Sequence, residues 1–281
     1  MTWLRDRTFG AESVPTLSGL RARKHATGSA VAVVIAGTPA DATARAIRAC
    51  VQSDLIDDAG LVDEIVISDP DGGGRGFALR QSLAAIRSDI VLFLDGGIRN
   101  FSPRIAVRMI APLLLEEQLV FIKGFAPSIS PKSGGRAADH GMARPLLAAS
   151  FPELDAFEQP FARETAARTA LLRRLAFPPG EGVDAALLID ALEAAGAGAL
   201  GQSDLGGSIH RTTPVSHYDG DIAMTVLRRA GERGRIRPFA DATVYPLLVR
   251  DRASEQPDLP PIESGHAVRR SRRPRPARVA N

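Results

Sequence analysis

Asp89-Ile90-Val91-Leu92-Phe93-Leu94-Asp95-Gly96-Gly97 is the stretch that decides the fold. An unbroken apolar run enters from one aspartate and leaves through another into two glycines. A run of this length bounded by turn residues reads as a strand covered on both faces, the habit of parallel α/β sheets. Ligands in such sheets bind just beyond the carboxyl ends of the strands, which is where Asp95 falls. Asp95 equally suits a plainer role, opening a tight turn.

The flanking segments repeat the pattern. Val31-Ala32-Val33-Val34-Ile35 and Glu64-Ile65-Val66-Ile67 read as earlier strands, and Leu119-Val120-Phe121-Ile122-Lys123-Gly124-Phe125 as a fourth. Helices are predicted between them: one capped by Asp41, one over 76–87, and one starting at Pro103 behind Ser102. Strand and helix alternate through residue 125, which predicts an α/β fold with a mostly parallel sheet flanked by helices. The second half reads as helix-rich: a helix near 142–150 interrupted by Pro145, an extended piece at 157–161, and helices over 164–175, 183–196 and 222–233. A last strand is predicted over 197–205. No internal repeat is present. The expected organisation is 1–125 as a ligand-binding half, 126–250 as the other half of the same domain, and 251–281 as a disordered basic tail.

Composition narrows the class. Hydrophobic residues make up 44% and charged residues 24%, ordinary globular values. The net charge of +3 misleads, because residues 266–281 carry six arginines and no acid, leaving −3 for the rest. The high pI thus belongs to the tail, which suits either a solvated, disordered end or contact with nucleic acid or an acidic partner. The lone Cys50 excludes an intrachain disulfide. The opening residues lack the apolar core of a signal peptide, and no apolar run approaches the ~20 residues that cross a bilayer. A cytoplasmic protein without a membrane partner is expected.

Several residues point to chemistry. Asp95 and Asp69 each end a predicted parallel strand, so both belong on one sheet edge. Asp184 opens a helix behind Gly180-Glu181-Gly182, and His210-Arg211 follows the last strand. An aspartate with a histidine can hold a divalent metal, and a metal at a strand end suits a phosphate-bearing ligand. His210 equally suits a surface hydrogen bond. Gly72-Gly73-Gly74-Arg75-Gly76 before a helix reads either as a phosphate-cradling turn, with Arg75 aimed at the anion, or as a flexible turn. No G-x-G-x-x-G follows the first strand, which disfavours a nicotinamide-dependent dehydrogenase.

A series of collinear blocks then carries a resemblance: Arg7-Thr8-Phe9, Leu61-Val62-Asp63-Glu64-Ile65-Val66, Ser82-Leu83-Ala84-Ala85, Asp89-Ile90-Val91, Pro112-Leu113-Leu114 and Phe121-Ile122-Lys123-Gly124-Phe125. It continues through Gly134-Gly135-Arg136, Ala143-Arg144-Pro145-Leu146-Leu147, Phe151-Pro152-Glu153-Leu154, Gln159-Pro160, Leu187-Leu188-Ile189-Asp190, Asp204-Leu205-Gly206 and His210-Arg211. Over about residues 3 to 235 the chain resembles the glucosyl-3-phosphoglycerate synthase family, retaining glycosyltransferases of the GT-A fold. The resemblance implies a nucleotide-sugar donor such as UDP-glucose, a small phosphorylated or carboxylated acceptor, Mg2+ or Mn2+, and a homodimer.

Position by position, Asp69 matches an aspartate that helps hold the nucleoside, and Arg75 matches a donor-site lysine. Asp95 matches the first aspartate of the Asp-x-Asp metal motif, and His210 the family's metal-binding histidine. Asp184 matches a glutamate beside the donor sugar, which makes it the catalytic candidate. Arg136 matches an arginine that binds the acceptor phosphate, and Thr212 stands in the same region where the family has asparagine.

The departures are specific. Gly97 replaces the second motif aspartate, and Arg163 replaces a glycine of the donor-sugar loop. Glu181 replaces a tyrosine and Ala138 a threonine, and Ala36-Gly37-Thr38-Pro39-Ala40 replaces the uracil-contacting loop. Only five residues separate Asp69 from Arg75, where the family has a helix and an edge strand. The sequence therefore supports two readings: a hexosyltransferase with an altered site, or a pseudo-glycosyltransferase that binds without transferring.

Overall fold

The computed structural model describes residues 3–37, 40–69, 73–126, 141–207, 219–236 and 257–262. Its centre is a seven-stranded sheet of order β1-β7-β5-β6-β4-β2-β3. The strands are β1 (Thr8–Phe9), β2 (Val31–Ala36), β3 (Glu64–Ser68), β4 (Ile90–Asp95), β5 (Phe121–Phe125), β6 (Thr165–Arg168) and β7 (Leu200–Asp204). All neighbouring pairs are parallel except those of β6, which runs antiparallel to both β4 and β5.

Alternation along the strands sends side chains to two separate cores. Val31, Val33, Ile35, Ile90, Leu92 and Leu94 pack on one face under α1 (Leu17–Thr27), α2 (Ala42–Cys50) and α4 (Pro103–Leu115). Ala32, Val34, Val91 and Phe93 pack on the other with α3 (Arg75–Ala85), α5 (Ala143–Ser150), α7 (Val183–Ala195) and α8 (Asp219–Glu232). The result is helix layers on both sides of a mostly parallel sheet, as the apolar runs predict. Helix α7 is buried on all sides from Val183 to Leu192, the mark of a helix inside the core. The predicted caps form: Asp41 Oδ1 accepts from Thr43 N at 2.8 Å, and Ser102 Oγ from Arg104 N at 3.4 Å. No described helix is long and apolar enough to cross a membrane.

Three expectations are corrected. The helix predicted over 164–175 is instead strand β6 followed by the single turn α6 (Thr169–Leu172). The facing edges of β4 and β5 need backbone partners, and the small Ala166 and Ala167 fit between two cores, so the ladder overrides helix propensity. Pro145 does not interrupt α5, because it lies in the first turn, where no intrahelical N–H bond is lost. Finally, 257–262 falls within the stretch expected to be disordered, yet it is docked. Leu259 exchanges backbone hydrogen bonds with Phe177, and Ile262 N donates to Arg173 O at 2.9 Å. Asp258 pairs with Arg228 and Arg229, and Arg229 also holds the buried Asp190.

Candidate functional site

The sheet register builds the site. Ala36 at the end of β2 stands level with Ser68 on one side and Asp95 on the other. Asp69 and Asp95 therefore leave the same carboxyl edge, with β2 between them. Asp69 is exposed, whereas the Asp95 side chain is 17% exposed. Asp95 Oδ1 accepts from Gly97 N at 3.0 Å, so the turn-opening role is real and uses one carboxylate oxygen.

Because β6 is antiparallel, its beginning lies at this same edge. Phe93 pairs with Thr165, and continuing that register two residues brings Arg163 opposite Asp95. Arg163 Nη1 lies 3.7 Å from Asp95 Oδ2, and its Nη2 donates to Glu181 Oε2 at 2.7 Å. Burial pushes the Glu181 carboxyl above its usual range, against the pull of Arg163 and Arg75.

A second charge group lies deeper. Arg75 donates to both oxygens of Asp184, Nε at 2.8 Å and Nη2 at 3.3 Å, and Nη2 also reaches the Arg163 carbonyl at 3.0 Å. Arg75 and Asp184 are each 3% exposed. Lys123 Nζ lies 3.8 Å from Asp184 Oδ1 and donates to Thr165 Oγ1 at 3.0 Å. Burial lowers the Lys123 pKa to about 8, with Arg75 adding to the fall and Asp184 opposing it. The Arg75 guanidinium moves the other way: burial works to lower it, but Asp184, with Glu181 and Asp95 adding to its pull, holds it above the ordinary arginine value.

The glycine-rich turn has a packing cause. Gly76 N and Phe77 N both donate to Pro179 O, at 2.8 and 3.1 Å, so the first amides of α3 are already used. A Cβ on Gly76 would stand 1.7 Å from Pro178 O, and Gly74 adopts φ +85°. The turn is glycine because two backbones meet there, which settles the described part of it as structural.

Of the sequence candidates, the structure thus places Asp69 and Asp95 on one edge and joins Arg75 to Asp184. It turns the latter pair inward, whereas a donor-binding arginine and a catalytic carboxylate were expected to face a ligand. Arg136, His210 and Thr212 lie outside the described residues. The sequence reading missed Lys123 and the use of Glu181. A lone lysine inside the apolar Phe121–Phe125 strand was the available signal for Lys123. Two cavities, of about 560 and 640 Å³, are lined by neither Asp95 nor the Arg75–Asp184 pair.

A divalent metal at Asp95 and His210 is what the resemblance implies. Asp95 offers a hard oxygen ligand of the right chemistry for Mg2+ or Mn2+. Among the described residues, no group of three or more His, Cys, Asp or Glu is placed to complete a shell around it.

No family model matches the chain. The chain is 32% identical over 270 residues to glucosyl-3-phosphoglycerate synthase of Mycolicibacterium paratuberculosis, covering 82% of this chain and 80% of the relative. Glucosyl-3-phosphoglycerate synthase of Mycobacterium tuberculosis, in complex with Mn2+, UDP-glucose and phosphoglyceric acid, superposes with a TM-score of 0.73 at 28% identity. That superposition covers 92% of this chain and 98% of the relative. The same enzyme has also been solved with Mg2+ and UDP. Mannosyl-3-phosphoglycerate synthase of Rubrobacter xylanophilus gives a TM-score of 0.82 at 26% identity, covering 94% and 98%.

Proposed function

The chain belongs to the glucosyl-3-phosphoglycerate synthase family, and from that premise we propose that it transfers a hexose from a nucleotide-sugar to a small acidic acceptor. UDP-glucose and 3-phosphoglycerate are the first pair to test, with retention of anomeric configuration. The observation that supports this most is Asp95, partly buried at the carboxyl end of a central parallel strand. Fold alone does not decide the chemistry, so the site residues carry the proposal.

In this reading Asp69 faces the nucleoside. Asp95 and His210 would hold Mg2+ or Mn2+, which when bound supplies positive charge for the departing diphosphate. Arg163, at the same edge, would add its charge to that diphosphate. Arg136 grips the acceptor's acidic group in the bidentate manner of guanidinium, with Thr212 beside it. Asp184 acts as a positioning residue: it fixes Arg75, whose Nη2 holds the Arg163 backbone carbonyl.

The internal pairing of Arg75 with Asp184, and of Arg163 with Asp95 and Glu181, favours the second reading, a binder that no longer transfers. Calorimetric titration with UDP-glucose and GDP-mannose, with and without Mg2+ or Mn2+, followed by a product assay, separates the two. Binding with turnover supports the transferase; binding without turnover supports the pseudo-enzyme. No binding of any nucleotide at millimolar concentration overturns both. A homodimer and a cytoplasmic location belong to the same proposal, checked by analytical ultracentrifugation and by cell fractionation.

A further inference from the structure

We propose that Arg163 stands in the divalent cation's place at Asp95 and competes with the metal for that carboxylate. The inference deepens the transferase reading of the same site, and its central test does not depend on turnover.

Arg163 is held there by the sheet rather than by a mobile side chain alone. Strand β6 is laddered on both edges, to β4 and to β5, and its pairing with β4 ends at the Phe93 and Thr165 pair, two residues short of Asp95 and Arg163. The Arg163 carbonyl is tied by Arg75 Nη2 at 3.0 Å, and Arg75 is itself anchored on Asp184. The guanidinium then spans two carboxylates, Asp95 Oδ2 at 3.7 Å and Glu181 Oε2 at 2.7 Å. Arg163 is 29% exposed and Asp95 17%, so the pair is partly shielded from water, where charge interactions are felt more strongly.

Asp95 is thus already served by a cation of this chain, and a dication entering at its Oδ2 would stand beside the Arg163 guanidinium unless Arg163 withdrew. Asp95 also has one oxygen committed to the Gly97 amide, and Gly97 itself offers no second carboxylate. The other oxygen faces Arg163, so metal and guanidinium meet at the same carboxylate.

The test is Mn2+ titration of the purified full chain without nucleotide, followed by electron paramagnetic resonance. Arg163→Gln removes the charge at similar length and should tighten Mn2+ binding by at least about tenfold, the scale on which neighbours of a metal ligand act. Arg163→Lys keeps the charge and should bind Mn2+ as weakly as the wild type. Adding Asp95→Asn to Arg163→Gln should abolish the gain. Circular dichroism confirms that each variant is folded. The proposal is overturned if Arg163→Gln binds Mn2+ no more tightly than wild type, or if the gain survives loss of the Asp95 charge. Failure of the wild type to bind any nucleotide would remove the transferase reading, while the Mn2+ series would still decide this competition.

Discussion

Replacing Asp184 by alanine should cost roughly 3–5 kcal/mol of folding stability, because it strands buried cations rather than freeing an exposed catalytic group. Asp184 is 3% exposed and sits between Arg75 Nε at 2.8 Å and Lys123 Nζ at 3.8 Å. Arg75 then keeps its charge inside the protein with only the Arg163 carbonyl among its described acceptors. Lys123 can respond differently. Its pKa is already lowered to about 8, and loss of the Asp184 charge removes an attraction that raises it. In the variant Lys123 sheds its proton at lower pH than in the wild type, so part of the penalty should fade as pH rises toward about 8 and stay level above it. The sign follows from linkage: the native state gives up a proton that the unfolded chain retains up to its ordinary lysine value of 10.5, so stability rises with pH across that interval. Urea unfolding followed by circular dichroism, at pH 7 and pH 9, measures both effects. Arg75→Met with Asp184→Leu should recover most of the loss, since an apolar pair can replace a buried ion pair at little cost. If Asp184→Ala is as stable as wild type, or more so, the carboxylate is not the keystone of a buried network. That result would restore the expectation of a ligand-facing acid.

Other predictions follow from packing. Gly76→Ala should destabilise by about 2–3 kcal/mol, because its Cβ meets the Pro178 carbonyl at 1.7 Å, whereas Gly231→Ala in α8 has nothing within 4 Å and should gain up to about 1 kcal/mol; paired urea curves compare them. Truncation after Gln256 should lower Tm by about 5–10 °C, since it removes Asp258 from Arg229 and the Leu259 bridge to Phe177. Truncation after Ile262 should leave Tm unchanged, and differential scanning calorimetry reads both. Asp190→Ala should cost about 3 kcal/mol or more by the same measurement, because it leaves the buried Arg229 short of one of its two aspartates.

Local patterning alone dictates the layered α/β frame, because unbroken apolar runs such as Ile90 to Leu94 are buried when helices cover both faces. It also puts Asp69 and Asp95 on one sheet edge, since a parallel strand fixes which end its final aspartate occupies. Caps at Asp41 and Ser102 were legible for the same reason: they depend on neighbours two residues away. Contacts across long separations were not legible. Residues 164–168 have the composition of a helix and become a strand only because β4 and β5 each leave an edge for them to fill. Arg75 and Asp184 are 109 positions apart, and no local rule predicts that each would consume the other. The six residues around Leu259 look like part of a disordered tail until the core presents Phe177, Arg228 and Arg229 to them. Asp95 shows both levels at once. Its place at the end of a strand is written in the residues around it, while the guanidinium that faces it arrives through the register of a strand far along the chain.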